Sequence, residues 1–230
     1  MTDVMAVRTR YFDEFFTQGA KAGIRQAVIL ASGLDSRTHR LSGRPEPRCS
    51  RLTSPRSSSS RPRRWPTWAP RRWPTGAWWP SICGGTGRPR CGWPALTPTG
   101  PTAWIAEGLL GYLPPDAQDR LLDHITTLSA EGSRFAADAV PNLPQPEQAH
   151  FRQRIQALIL SWRNHGFDVD MTDMVYLGER NDVAKYLNAR GWETGCITTS
   201  ELFVANGLSP VDEKDDDRAP FALAFTSARH

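Results

Sequence analysis

Two short stretches carry residue types and spacings that could do chemistry. The first is Ala31-Ser32-Gly33 followed by Asp35, which comes directly after the apolar run Ala27–Leu30 and opens a polar, helix-like pattern. A strand that ends in a turn of small residues brings backbone N–H groups and a helix N-terminus to one point, and both favour a negatively charged ligand group. A single glycine also suits any strand-to-helix loop, and Asp35 also suits a plain helix N-cap, so the turn by itself leaves both readings open. The second is Glu107, an acid at the carboxyl end of the apolar run Ala103–Ala106. The carboxyl ends of parallel strands are where open α/β sheets bind ligands.

The elements that must hold these residues follow from hydrophobic periodicity. Tyr11, Phe12, Phe15 and Phe16 share one face of a helix that stops at Gly23. Pro115 and Asp116 open a second helix with Leu121, Leu122, Ile125 and Leu128 as its buried stripe. Strands are expected at residues 27–30 and 103–106, at "SRFAADAV" and at the closing run "APFALAFTSA", with helices near residues 151–162 and 182–189. Alternating strands and helices imply an α/β sheet, and 230 residues suit a single domain of that class. No stretch of about 18 apolar residues occurs, and the first 16 residues lack a signal-like apolar run, so a cytoplasmic protein with no membrane partner is expected. Cys49, Cys83, Cys91 and Cys196 show no paired spacing and the five histidines are scattered, which points to neither a metal site nor a disulfide framework.

The middle of the chain departs from this pattern. Residues 42–100 hold 11 Arg, one Glu and no Asp or Lys, a net charge of +10, whereas the rest of the chain nets −6. The basic balance of the whole protein therefore belongs to this window. It also contains six of the nine Trp and 11 of the 19 Pro, with no Val, Phe, Tyr, Asn, Gln, His or Met. Prolines at such density remove backbone donors and break helices, so the window is expected to be irregular or disordered within an otherwise single domain spanning 1–230.

The flanks carry a resemblance. "RTRYFDEFF", "VILASGLDSRTHRL", "AWIAEGLLGYL" and "GERNDVAKYLNARGW" resemble S-adenosyl-L-methionine-dependent methyltransferases of the leucine carboxyl methyltransferase type, over residues 5–41 and 101–226. The resemblance implies a class I methyltransferase fold, a Rossmann-like sheet of seven strands with S-adenosyl-L-methionine as the cofactor across their carboxyl ends. It implies that Gly33 lines the methionine end, with Ala31 and Asp35 of the same turn also binding the cofactor, that Arg8 or Arg10 pairs with the cofactor carboxylate, and that Glu107 sits beside the sulfonium. An arginine suits a carboxylate, and an acid near a sulfonium is favourable. The implied reaction is methyl transfer to an oxygen of a small-molecule acceptor, for which a carboxylate is one candidate, and no catalytic base is identified. The family also implies helices ahead of "RTRYFD" that would help cover the site.

The genetic code offers an account of the middle. If each codon there is re-read with one nucleotide borrowed from upstream, every Trp and Cys codon becomes Leu, Met or Val. Six Trp and three Cys thereby become nine aliphatic residues, and Ile82 becomes Asp, Asn, His or Tyr. Permitted codons then spell a strand ending in an acid, an amphipathic helix and a second strand ending in Asp-Leu. On this reading the polypeptide as printed lacks two cofactor-binding acids and is impaired or inactive. The competing reading takes the window at face value, as a basic arm binding single-stranded nucleic acid through Arg63, Arg64, Trp65, Arg71, Arg72 and Trp73.

Overall fold

A computed structural model describes residues 2–31, 48–52, 99–140, 145–164, 175–176, 179–211 and 223–230. The chain starts with helix α1 (Thr2–Lys21), whose Val4, Val7, Phe12 and Phe15 are buried. Gly23, at φ 89°, takes the left-handed conformation that ends it. Strand β1 (Gln26–Leu30) follows and is buried along its whole length. Next come β2 (Arg48–Leu52), β3 (Thr102–Ala106), a 3-10 turn at Leu110–Tyr112, helix α2 (Pro115–Thr127) and β4 (Arg134–Ala139). Helices α3 (Gln145–Asn164) and α4 (Val183–Asn188), strand β5 (Glu193–Thr198), helix α5 (Thr199–Ala205) and β6 (Ala224–Arg229) complete the described chain.

The described strands form one sheet in the order β2-β1-β3-β4-β6-β5. The first four are mutually parallel, and β6 runs antiparallel to both β4 and β5. Continuous apolar strands such as β1 and β3 belong in a sheet covered on both faces, and both faces are covered here. On one side Ala103, Ile105 and Ala136 pack with α1 and with Leu202 and Phe203 of α5. On the other, Val28, Leu30, Trp104, Ala106 and Phe135 pack with Leu121, Leu122 and Ile125 of α2 and Val183 and Leu187 of α4. Successive side chains in a strand point to opposite faces, so β3 and β4 serve both layers.

One expectation is corrected here. Arg48–Leu52 lie inside the window read as irregular, yet they form β2, in parallel register with β1 from Gln26 opposite Arg48 to Leu30 opposite Leu52. The physical reason is local. These five residues contain no proline, so every amide is available to the ladder, and the edge of β1 needs a partner whatever side chains that partner carries. Composition describes the window as a whole and does not forbid a short proline-free strand. The further strand implied by the resemblance falls on residues 53–98, outside the described residues.

Candidate functional site

The carboxyl ends of β1, β3 and β4 gather the candidate residues. Ala31 follows β1 at φ 50°, the one non-glycine residue with positive φ among the described residues. That backbone is strained for an L-residue, and strain of this kind concentrates where a turn is shaped for a ligand. Gly33 and Asp35 lie outside the described residues.

Glu107 follows β3 directly. Ile105 packs toward α1, so alternation sends Glu107 to the same side. By the same rule Asp138, two residues after Ala136, points to that side from β4. Register brings the two acids together: Ala106 is paired with Ala137, and Glu107 and Asp138 are the next residues on each strand.

Arg8 reaches this pair from above. It falls on the i, i+4, i+8 row with Val4 and Phe12, both fully buried, so the helix aims it at the sheet. Its Nη2 lies 3.2 Å from Asp138 Oδ2 and its Nε 3.4 Å from Glu107 Oε1. Arg10 is two positions further along the helix, roughly 200° around the axis, and is exposed. Of the two arginines that the resemblance left open, Arg8 is the one that joins the acids.

Asp138 was not legible as a site residue in the motif strings, although an acid within the buried run "FAADA" is itself a signal. Its Oδ1 accepts a 2.6 Å hydrogen bond from the Gly108 N–H while Oδ2 faces Arg8. Burial pushes its carboxyl above the ordinary value of 3.8, with the Arg8 charge and the Gly108 hydrogen bond opposing that shift. Gly108 is at φ 59°, and a Cβ there would meet Arg8 Nη2 at 2.6 Å. The position thus needs glycine for its backbone and for the guanidinium beside it. Tyr112 completes the corner; burial raises its phenol, with the charges of Arg8 and Asp138 acting in opposite senses.

Electrostatically, two carboxyl groups share one guanidinium, so the corner has a surplus of acid and favours a cationic ligand group. At the same time Arg8 Nε is buried and its N–H is not directed at any acceptor, despite the nearby Glu107 oxygen. A buried donor without an acceptor is costly, and an incoming carboxylate would relieve it. The corner therefore fits a zwitterion that also carries a second positive charge, which is the chemistry of the methionine end of S-adenosyl-L-methionine. The rest of the cofactor finds less: no Asp or Glu occurs from Leu52 through Ala106, so no carboxylate follows β2 to accept hydrogen bonds from ribose hydroxyls.

Residues 1–49 and 95–126 match the leucine carboxyl methyltransferase family model. The gap between the two matches lies within the anomalous window and narrows it, since family likeness persists to 49 and resumes at 95. Over 98% of its length the chain is 46% identical to a protein of Mycobacterium avium (strain 104) provisionally named an S-adenosyl-L-methionine-dependent methyltransferase, covering 71% of that protein. A relative of the same provisional name in Mycobacterium marinum (strain ATCC BAA-535 / M) is 42% identical over 94% of this chain and 70% of its own. A crystal structure of a provisionally named methyltransferase from Thermobifida fusca YX aligns with a TM-score of 0.50 at 14% identity, over 99% of this chain and 80% of that one, and speaks for the fold alone. With sheet order, corner and relatives in agreement, the chain belongs to the S-adenosyl-L-methionine-dependent methyltransferases of the leucine carboxyl methyltransferase family.

Proposed function

We propose that the protein transfers a methyl group to an oxygen of a small-molecule acceptor, a carboxylate being the favoured class, and that Arg8 and Glu107 hold the methionine end of the cofactor. When bound, S-adenosyl-L-methionine supplies an electrophilic methyl group on a sulfonium. Arg8 offers its guanidinium to the carboxylate, and Glu107 lies beside the positive charge. Ala31 brings backbone to the same end, while Gly33 and Asp35, which the resemblance adds to the cofactor site, lie outside the described residues; Arg10, facing solvent, has no part. Methyl transfer to a carboxylate requires no proton removal, which accords with a corner whose acids are already engaged by Arg8 and Gly108. A cytoplasmic location belongs to the same reading; among the described residues no helix is long and apolar enough to cross a membrane.

The observation that carries this reading is the pairing of Arg8 with Glu107 at the carboxyl edge of the sheet in a chain of this family. The same reading holds that the segment missing from the family match is encoded out of frame, and that the protein as printed binds its cofactor weakly. Two lost hydrogen bonds to charged groups correspond to roughly a hundredfold or more in affinity. Arg63, Arg64, Trp65, Arg71, Arg72 and Trp73, the residues of the nucleic-acid reading, lie outside the described residues. Incubation with methyl-tritiated cofactor and a panel of organic acids is the functional test. Carboxylate methylation leaves label that mild base releases as methanol, whereas base-stable label would refute the carboxylate assignment.

A further inference from the structure

We propose that Arg180 is a positioning residue for the cofactor corner, setting the conformation of the turn that carries Glu107, Gly108 and Tyr112; the inference rests on reading that corner as the cofactor site. Arg180 holds the turn through its guanidinium. Its Nη1 donates to Leu110 O at 2.8 Å and Gln118 Oε1 at 3.1 Å, and its Nη2 donates to Tyr176 O at 2.6 Å and Leu113 O at 3.3 Å. One planar guanidinium thus joins both ends of the 3-10 turn, the first part of α2 and the segment before α4. A lysine cannot reproduce that fork.

Neighbouring bonds make the junction a strap. Tyr176 N–H donates to Gly111 O at 2.9 Å, the fully buried Gln118 donates to Asn181 O at 2.9 Å, and Asn181 donates to Asp119 Oδ2 at 2.6 Å. Everything held in this way lies in the ten or so residues after Glu107. The turn is anchored on its other side by the Gly108 N–H bonded to Asp138, so it has one fixed point in the corner and one at Arg180. Removing the second leaves the Leu110 and Leu113 carbonyls without this donor and lets the turn pivot about Gly108, whose left-handed backbone tolerates rotation.

Amide hydrogen exchange on the full chain, its R180A and its R180K forms tests this. Gly108 is the diagnostic amide, because its N–H is bonded to Asp138 while the four Arg180 bonds above fall elsewhere on and beside the turn. The expected result is Gly108 exchange faster by about tenfold or more in R180A, intermediate in R180K, with the β4 and β6 amides unchanged. Tyr112 should then titrate nearer its ordinary value in R180A. If only the amides of Tyr176 and Leu113 speed up and Gly108 and Tyr112 do not respond, Arg180 is a local brace and the proposal is wrong. Calorimetry with millimolar S-adenosyl-L-methionine, on chains with the reading frame restored across residues 50–94, separates this from the site reading. Equal affinity in the unsubstituted and R180A chains overturns the positioning role alone. No heat in either, with Gly108 responding, overturns the cofactor reading and keeps the coupling.

Discussion

Arg8 on α1 and Asp138 on β4 form an ion pair, Nη2 to Oδ2 at 3.2 Å, in which the carboxyl side chain keeps 4% of its surface exposed and the guanidinium 15%. Asp138 spends its other oxygen on the Gly108 N–H, so one buried acid fixes both a cation and a turn. The corner is arranged before any ligand arrives, which spares binding the cost of ordering it.

Replacing Asp138 should therefore cost more than a surface change. D138A leaves the Gly108 N–H without its acceptor and Arg8 with Glu107 alone, and unfolding in urea should show a loss of about 3–5 kcal/mol. D138N keeps an oxygen for Gly108 and should lose less. A D138A protein as stable as the parent would show that the pair contributes nothing.

The same acid gives a pH signature. Its carboxyl is raised above 3.8 mainly by burial, so the folded state takes up a proton at a higher pH than the unfolded chain does. Stability then rises on acidification through the window between the raised value and 3.8. The difference in unfolding free energy between parent and D138N should grow in favour of the parent across that window. A constant difference would contradict the buried, shifted carboxyl.

Gly108 should not accept a side chain. G108A places a Cβ within 2.6 Å of Arg8 Nη2 at φ 59°. The backbone alone costs about 1–2 kcal/mol, and Arg8 must swing away from Asp138. Reduced stability together with weaker cofactor binding is expected; lower stability with unchanged binding would separate the turn from the site.

Tyr11 provides an alkaline test on the same side of the sheet, its phenol near enough to Asp138 to feel that charge. Burial raises its phenol from 10.0 to about 12, against a hydrogen bond with Ser227 that pulls it down. A raised value means the stabilisation is complete below pH 10.0 and is lost as pH climbs toward about 12. Relative to Y11F, the parent should lose roughly 2–3 kcal/mol over that interval. Identical alkaline profiles would mean the phenol is not buried.

The fold was legible because apolar runs and helical stripes repeat the physics of burial. Ala27–Leu30, Ala103–Ala106 and the Leu121, Leu122 and Ile125 stripe all appear where periodicity put them. Leu128 falls at the helix cap and is only partly buried. The choice between Arg8 and Arg10 was also contained in the sequence, since Arg8 interrupts the Val4 to Phe12 row. Three things were not legible. Strand β2 was hidden because composition averages over a window while pairing needs only five free amides. Asp138 was hidden because its role depends on a register between strands that no local pattern states. Arg180 was hidden because its acceptors are backbone carbonyls 67 and 70 residues away, and carbonyls have no sequence signature.

On the proposed function, the chain keeps the corner that takes the methionine end of the cofactor, while no Asp or Glu from Leu52 through Ala106 is available to its ribose and adenine. Calorimetric titration with S-adenosyl-L-methionine, on the printed chain and on one with the reading frame restored across residues 50–94, tests it most directly. Binding should tighten by roughly a hundredfold or more on restoration, and E107Q should weaken it in both chains. Micromolar binding by the printed chain, unchanged by either alteration, would contradict the account.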